Sequence, residues 1–139
     1  EGQDVFQQDP ADFKQGRAVG TGDEGIDESK TTVNATSQTF FVAMPVNDTV
    51  AMVAVRLLGQ DGTSNALNRY VDELTIKRDS GGTITSAVEV IAIREDQAAA
   101  ALTYAVVAGG VNISILGVAG QTIEWRCIAD IARLTLGGG

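Results

Sequence analysis

The sequence predicts an all-β chain: an antiparallel β-sandwich, jelly-roll-like, of about seven to eight strands, with an extended N-terminal arm. Three observations predict it. Seven short segments between residues 37 and 136 are either continuously apolar or alternate apolar with polar residues, the pattern of strands. Glycine and Asn/Asp turn signals separate these segments at close intervals, which suits two packed antiparallel sheets. The first 37 residues differ in composition from everything after them.

That first segment, residues 1–37, is rich in Gly, Gln, Asp and Ser, and holds eight acids against three bases. Most of the net charge of −8 sits here, on the least hydrophobic stretch. Alone, such a stretch buries too little to offset its ordering entropy. It is therefore expected to be either a disordered tail or a polar arm that lies on a partner. Val5, Phe6, Phe13 and Val19, with Ile26, are spaced like the anchors of an extended arm. The sandwich domain is expected over residues 38–139.

The strands follow in order. "SQTFFVAMPV" (37–46) is short and apolar. "DTVAMVAVRLLGQ" (48–60) begins at the Asn47-Asp48 turn signal. It is apolar on both faces: Thr49, Ala51, Val53, Val55 and Leu57 on one, Val50, Met52, Ala54 and Leu58 on the other. "RYVDELTIKRD" (69–79) alternates and ends in the hairpin signal Asp79-Ser80-Gly81-Gly82. "TITSAVEVIAIRE" (83–95) is rich in β-branched residues and also two-faced, with Ala87, Glu89, Ile91 and Ile93 opposing Val88, Val90 and Ala92. The alanines before Leu102 would also suit a helix, so a helical turn is expected there, then the strand "ALTYAVVAG". "VNISIL" (111–116) follows Gly109-Gly110.

The last segment, "QTIEWRCIADIARLTL" (121–136), carries the only Trp and the only Cys. Strand alternation puts Ile123, Trp125, Cys127, Ala129 and Ile131 on one face. Trp125 is thus a core filler and Cys127 a small buried hydrophobe beside it. Arg126 points to the opposite face, badly placed to activate the thiol.

Composition excludes several functions. There is no His, so the commonest general base and metal ligand is missing. No Ser-His-Asp or Cys-His arrangement can form. One Cys allows neither an intrachain disulfide nor a multi-cysteine zinc site. Net negative charge disfavours nucleic acid and anionic membranes, and no apolar run approaches the roughly 18–20 residues of a membrane span. No signal-peptide pattern is present, and Glu1 in place of Met leaves an upstream part open. "GTGDEG" (20–25) has nucleotide-loop spacing, but its acids would repel a pyrophosphate. "DEGIDE" (23–28) lacks the alternating acids of a calcium loop. Asp72-Glu73 and Glu95-Asp96 are neighbours on strands and point to opposite faces, so neither pair is built for acid–base work. The sequons at 34–36, 47–49 and 112–114 are read as incidental. Neither an enzyme, nor a cofactor, nor a metal site is expected.

The ending "VNISILGVAGQTIEWRCIADIARL" resembles the closing hairpin of small β-sandwich domains in tail-fibre, head-fibre and other virion proteins of tailed bacteriophages. Those end with a strand of the form v-x-I-x-V-T-G, a glycine turn, T-I-x-W and a final strand. Here Val111, Ile113, Ile115, Gly117, Gly120, Thr122, Ile123 and Trp125 match. Leu116 stands where a small polar residue is usual, and Cys127 where an apolar one is. The resemblance covers roughly residues 38–135. It implies a bacteriophage virion protein with a structural role, in capsid decoration or a tail fibre. Its partners would be other virion proteins, a major capsid protein or fibre and tail subunits, and it would assemble as a homotrimer or other symmetric oligomer. The resemblance transfers no catalytic residue. The alternative is a receptor- or glycan-binding module, for which Asn65, Asn68 and Tyr70 are the candidate contacts. Tyr104 could join Tyr70 in lining a sugar groove.

Overall fold

The computed structural model describes residues 24–136. Eight strands run in chain order: β1 (Glu24–Val33), β2 (Ser37–Ala43), β3 (Thr49–Asp61), β4 (Leu67–Arg78), β5 (Ile84–Glu95), β6 (Ala101–Val107), β7 (Gly110–Leu116) and β8 (Thr122–Thr135). They form two antiparallel sheets, one of five strands ordered β1-β8-β3-β4-β5 and one of three ordered β2-β7-β6. β1 beside β8 and β2 beside β7 nest the chain's ends as a jelly roll does. The middle departs from that plan, because β3, β4 and β5 run as a meander within one sheet.

All seven segments expected to be strands are strands. The eighth, β1, lies inside the segment expected to be arm. Its sequence "EGIDESKTTV" has two apolar residues, too few to declare a strand. Pairing with β8 along its whole length supplies what its composition does not. β1, Glu24–Val33, is therefore part of the large sheet although it falls within the segment expected to be arm. Val5, Phe6, Phe13 and Val19 lie outside the described residues. The alanines before β6 form a turn closed by the Ala100 amide on the Gln97 carbonyl at 3.1 Å, not a helix.

The core fills from both sheets. From the large sheet come Ala51, Val53, Val55 and Leu57 of β3, Leu74 and Ile76 of β4, and Ile123, Trp125, Cys127, Ala129 and Ile131 of β8; the small sheet adds Phe40, Val42, Val111, Ile113 and Ile115. The expected inward face of β8 is the observed one, and of the two apolar faces of β3 it is Thr49, Ala51, Val53, Val55 and Leu57 that turn inward. Trp125 is 1% exposed. Its Nε1 donates to Thr32 Oγ1 of β1 at 2.9 Å, and its indole lies flat on the backbone of β3 at Gly59. A Cβ there would come within 2.3 Å of the ring, so the side chain is excluded by packing. Gly109, at φ 80°, supplies the left-handed step of the tight β6–β7 connection.

β5 departs from simple alternation. Val71 pairs with Ala92 and Asp72 with Val90, so Ile91 is an extra residue, a β-bulge. Beyond it the faces swap. Ile93 joins Val88 and Val90 on the sandwich side, not Ala87 and Glu89 as strict alternation predicts.

Candidate functional site: the open seam between β5 and β6

Five strands facing three leave the large sheet overhanging at its flanks. On the β1 flank the two sheets are tied together. Gln38 Nε2 donates to the Thr31 carbonyl at 2.9 Å, and Lys30 Nζ donates to the Thr39 carbonyl while sitting 5.1 Å from the Phe40 ring centre. On the β5 flank Tyr104 of β6 reaches Asp72 of β4, but no hydrogen bond joins β5 itself to β6 among the described residues. β5 pairs only with β4, and β6 only with β7, so two free strand edges border an open cleft of about 360 Å³.

One wall of this seam is aliphatic. Val88, Val90 and Ile93 line it and are 40%, 57% and 53% exposed. Leu102 and Ala101 of β6 line the other. The floor holds two tyrosine–carboxylate pairs: Tyr70 Oη donates to Glu95 Oε2 at 2.5 Å, and Tyr104 Oη donates to Asp72 Oδ2 at 2.5 Å. Burial, and then the bond to Glu95, pushes the Tyr70 phenol above its ordinary range. Burial and then Asp72 do the same to Tyr104, so both phenols act as donors. Asp72 is 5% exposed, and its Oδ1 has no hydrogen-bond partner among the described residues. A buried acceptor without a donor is costly and calls for an explanation. Asp72 and Glu95 are the charged lining of the seam, and no lysine or arginine lines it.

Part of this site is legible in the sequence. Asp72 and Glu73 do point to opposite faces, whereas Asp96 lies beyond the end of β5 and accepts from the Leu67 amide at 3.0 Å. Not legible there is that Asp72 and Glu95, from different strands, share the face toward the seam. Of the candidate sugar contacts, Tyr70 and Tyr104 line the seam and Asn65 is exposed. Tyr70 is buried, Asn68 is buried with its amide donating to Gln97 Oε1 at 3.0 Å, and Asn65 sits in the β3–β4 turn.

Cys127 is buried, and burial pushes its thiol up to about 12, a resting, unreactive state. Arg126 clasps Asp27 across the β1–β8 pair with bonds of 2.9 and 2.8 Å. That clasp holds the Asp27 carboxyl below its usual range.

A second uncovered apolar surface lies on the outer face of the large sheet. Val50 pairs with Leu134 and Met52 with Ala132. Val50, Met52, Leu134 and the following Leu136 are all exposed. This is the second apolar face of β3 that the sequence predicts.

No family model matches the sequence, and no curated protein matches it. Solved structures do. A tailspike protein of Acinetobacter baumannii phage AM24 aligns over 84% of this chain and 27% of its own, with 11% identity and a TM-score of 0.55. The sandwich fold is shared with a phage tailspike. The tailspike gp49 of Acinetobacter baumannii bacteriophage Fri1, a capsular polysaccharide depolymerase, aligns over 95% of this chain and 24% of its own, with 12% identity and a TM-score of 0.46. The chain thus spans about a quarter of the length of either tailspike.

Proposed function

We propose that this chain is a structural module of a bacteriophage virion, associated with the tail rather than decorating the capsid. Its work is to hold neighbouring proteins together. The observation that carries this reading is apolar surface left uncovered in two places, the seam and the outer face at Val50, Met52 and Leu134. Patches of this kind mark contacts. The fold shared with the AM24 tailspike supports a tail location. The depolymerase activity named for the Fri1 protein is that protein's own, and no catalytic role is proposed for this chain.

The outer face is the proposed symmetric contact, with three copies around an axis as the resemblance implies. Residues 1–23 are the proposed docking arm, with Val5, Phe6, Phe13 and Val19 as its anchors. Light scattering of the intact chain at micromolar concentration, beside Met52→Glu and a chain lacking residues 1–23, tests this. A trimer that Met52→Glu dissociates supports it. A monodisperse monomer, whose behaviour removal of the arm leaves unchanged, overturns it.

A second reading is a glycan-receptor module. It draws on the two carboxylates and two phenols of the seam floor, groups that can hydrogen-bond sugar hydroxyls. Glycan-array binding that Asp72→Asn abolishes would favour it over the first.

A further inference from the structure

We propose that the β5–β6 seam is a docking groove for an extended, basic and aliphatic segment of another virion protein, which enters as an added strand. This rests on the structural reading above and names the chemistry of its partner.

Three features select that occupant. The first is the backbone. Among the described residues β5 offers a free edge along twelve residues and β6 along seven, and unpaired strand edges recruit strands. The opposite edge, β1, carries Glu24, Asp27, Glu28 and Lys30, the charges that guard an edge against pairing. β5 places Val88, Val90, Ile91 and Ile93 at its edge, with one acid among them. The second feature is the order of side chains along the groove. Register puts Glu95 at one end, then Ile93, Val90 and Val88. An incoming strand thus meets a carboxylate first and aliphatic wall after it. The third is charge. Glu95 and Asp72, whose Oδ1 has no partner, face no cation in the seam among the described residues. A lysine or arginine at one inward position supplies the missing donor, and alternate inward positions supply aliphatic contact.

The same charge argument disfavours the chain's own arm. Residues 1–23 hold five acids against two bases, so the arm would bring carboxylates to carboxylates. A second copy's β5 edge would bring Glu89 and Glu95 without an inward-facing base.

The test uses the intact chain and a fluorescein-labelled peptide, Ac-TVTKTVT-NH2, whose Val and Lys share one face when extended. Anisotropy reads the affinity, and amide NMR shifts read its place. Binding is expected to shift β5 and β6 amides and to fall as salt rises. It is expected to weaken about tenfold in Asp72→Asn, which removes one charge-assisted bond. It is lost in Val90→Lys, an exposed position where folding is untouched. The Glu analogue Ac-TVTETVT-NH2 is expected not to bind. No binding at millimolar peptide, equal binding of the Glu analogue, or binding indifferent to both substitutions would overturn the proposal. So would a peptide of residues 1–23, a glucose hexasaccharide or self-association of the chain occupying the seam instead. If the probe fails while the outer-face trimer persists in light scattering, the seam proposal falls and the structural reading stands.

Discussion

Truncating Trp125 to alanine is expected to cost about 4–5 kcal/mol of folding stability, at the upper end of the range for removing a buried aromatic. The position explains why. The indole is the largest fully buried side chain, and it rests on Gly59 and lies 6.4 Å from the Tyr70 ring. Its loss opens a cavity that β3 cannot close, because the strand is pinned by β4 and β8 along its length. It also strands Thr32 Oγ1, which accepts the indole N–H in a buried site; losing a bond of this kind costs roughly 1 kcal/mol. Domains of this size have about 5–15 kcal/mol in total, so the variant should be marginal. Urea unfolding followed by far-UV circular dichroism measures the loss, since the only tryptophan is then gone. Trp125→Phe keeps most of the ring volume and should lose less than half as much. A loss below about 1 kcal/mol for Trp125→Ala would refute the reasoning. It would mean that the ring does not organise the core.

Other consequences follow from the same packing. Gly59→Ala should destabilise by about 1–3 kcal/mol through overpacking against the indole, and combining it with Trp125→Phe should cost less than the sum of the two, as a double-mutant cycle would read out. Cys127 should stay unmodified by a bulky thiol reagent until the chain unfolds. The native thiol holds its proton more tightly than the unfolded one. Its contribution to stability is therefore whole below pH 9.0 and lost as pH rises toward about 12; Cys127→Ala should flatten that part of the denaturation profile. Removing residues 1–23 should leave the circular dichroism and melting temperature of the sandwich unchanged. Removing residues 1–33 also takes β1, uncovers β8 and should lower the melting temperature by ten degrees or more, on the order of 2 kcal/mol.

How much of this was legible in the sequence depends on where each signal resides. Alternation is local, so β3 and β8 could be read face by face, and Trp125 and Cys127 fell where the pattern put them. β1 carries no such signal. Its one buried polar residue, Thr32, is buried because Trp125 reaches it from a strand 93 positions later. The bulge at Ile91 is equally silent, since an extra residue in a run of valine and isoleucine leaves the composition unchanged while swapping the faces beyond it. The seam is non-local throughout. Tyr70 and Glu95 are 25 residues apart, and Asp72 and Tyr104 are 32 apart. Only the meander of β4 and β5 and the return of β6 in the other sheet bring them together. The tyrosines stand out in the sequence as aromatics, whereas the carboxylates that hold them have only their chain neighbours beside them there.

The aliphatic wall of the seam sharpens one last expectation. Val88, Val90 and Ile93 are each about half exposed in the isolated fold, so their apolar character contributes far less to it than that of the core residues. Threonine has a similar shape and similar β-propensity, and on a surface of this exposure it hydrates without penalty. The triple substitution Val88→Thr, Val90→Thr and Ile93→Thr should therefore change the free energy of unfolding by less than about 1 kcal/mol, the scale of surface substitutions. The same three changes at Val53, Val55 and Leu57, buried on the inward face of β3, would abolish folding. If the β5 triple instead costs several kcal/mol, these residues belong to the core, and the uncovered surface on which docking depends does not exist. If stability holds while peptide binding at the seam disappears, then the apolar content of β5 serves contact and not the fold.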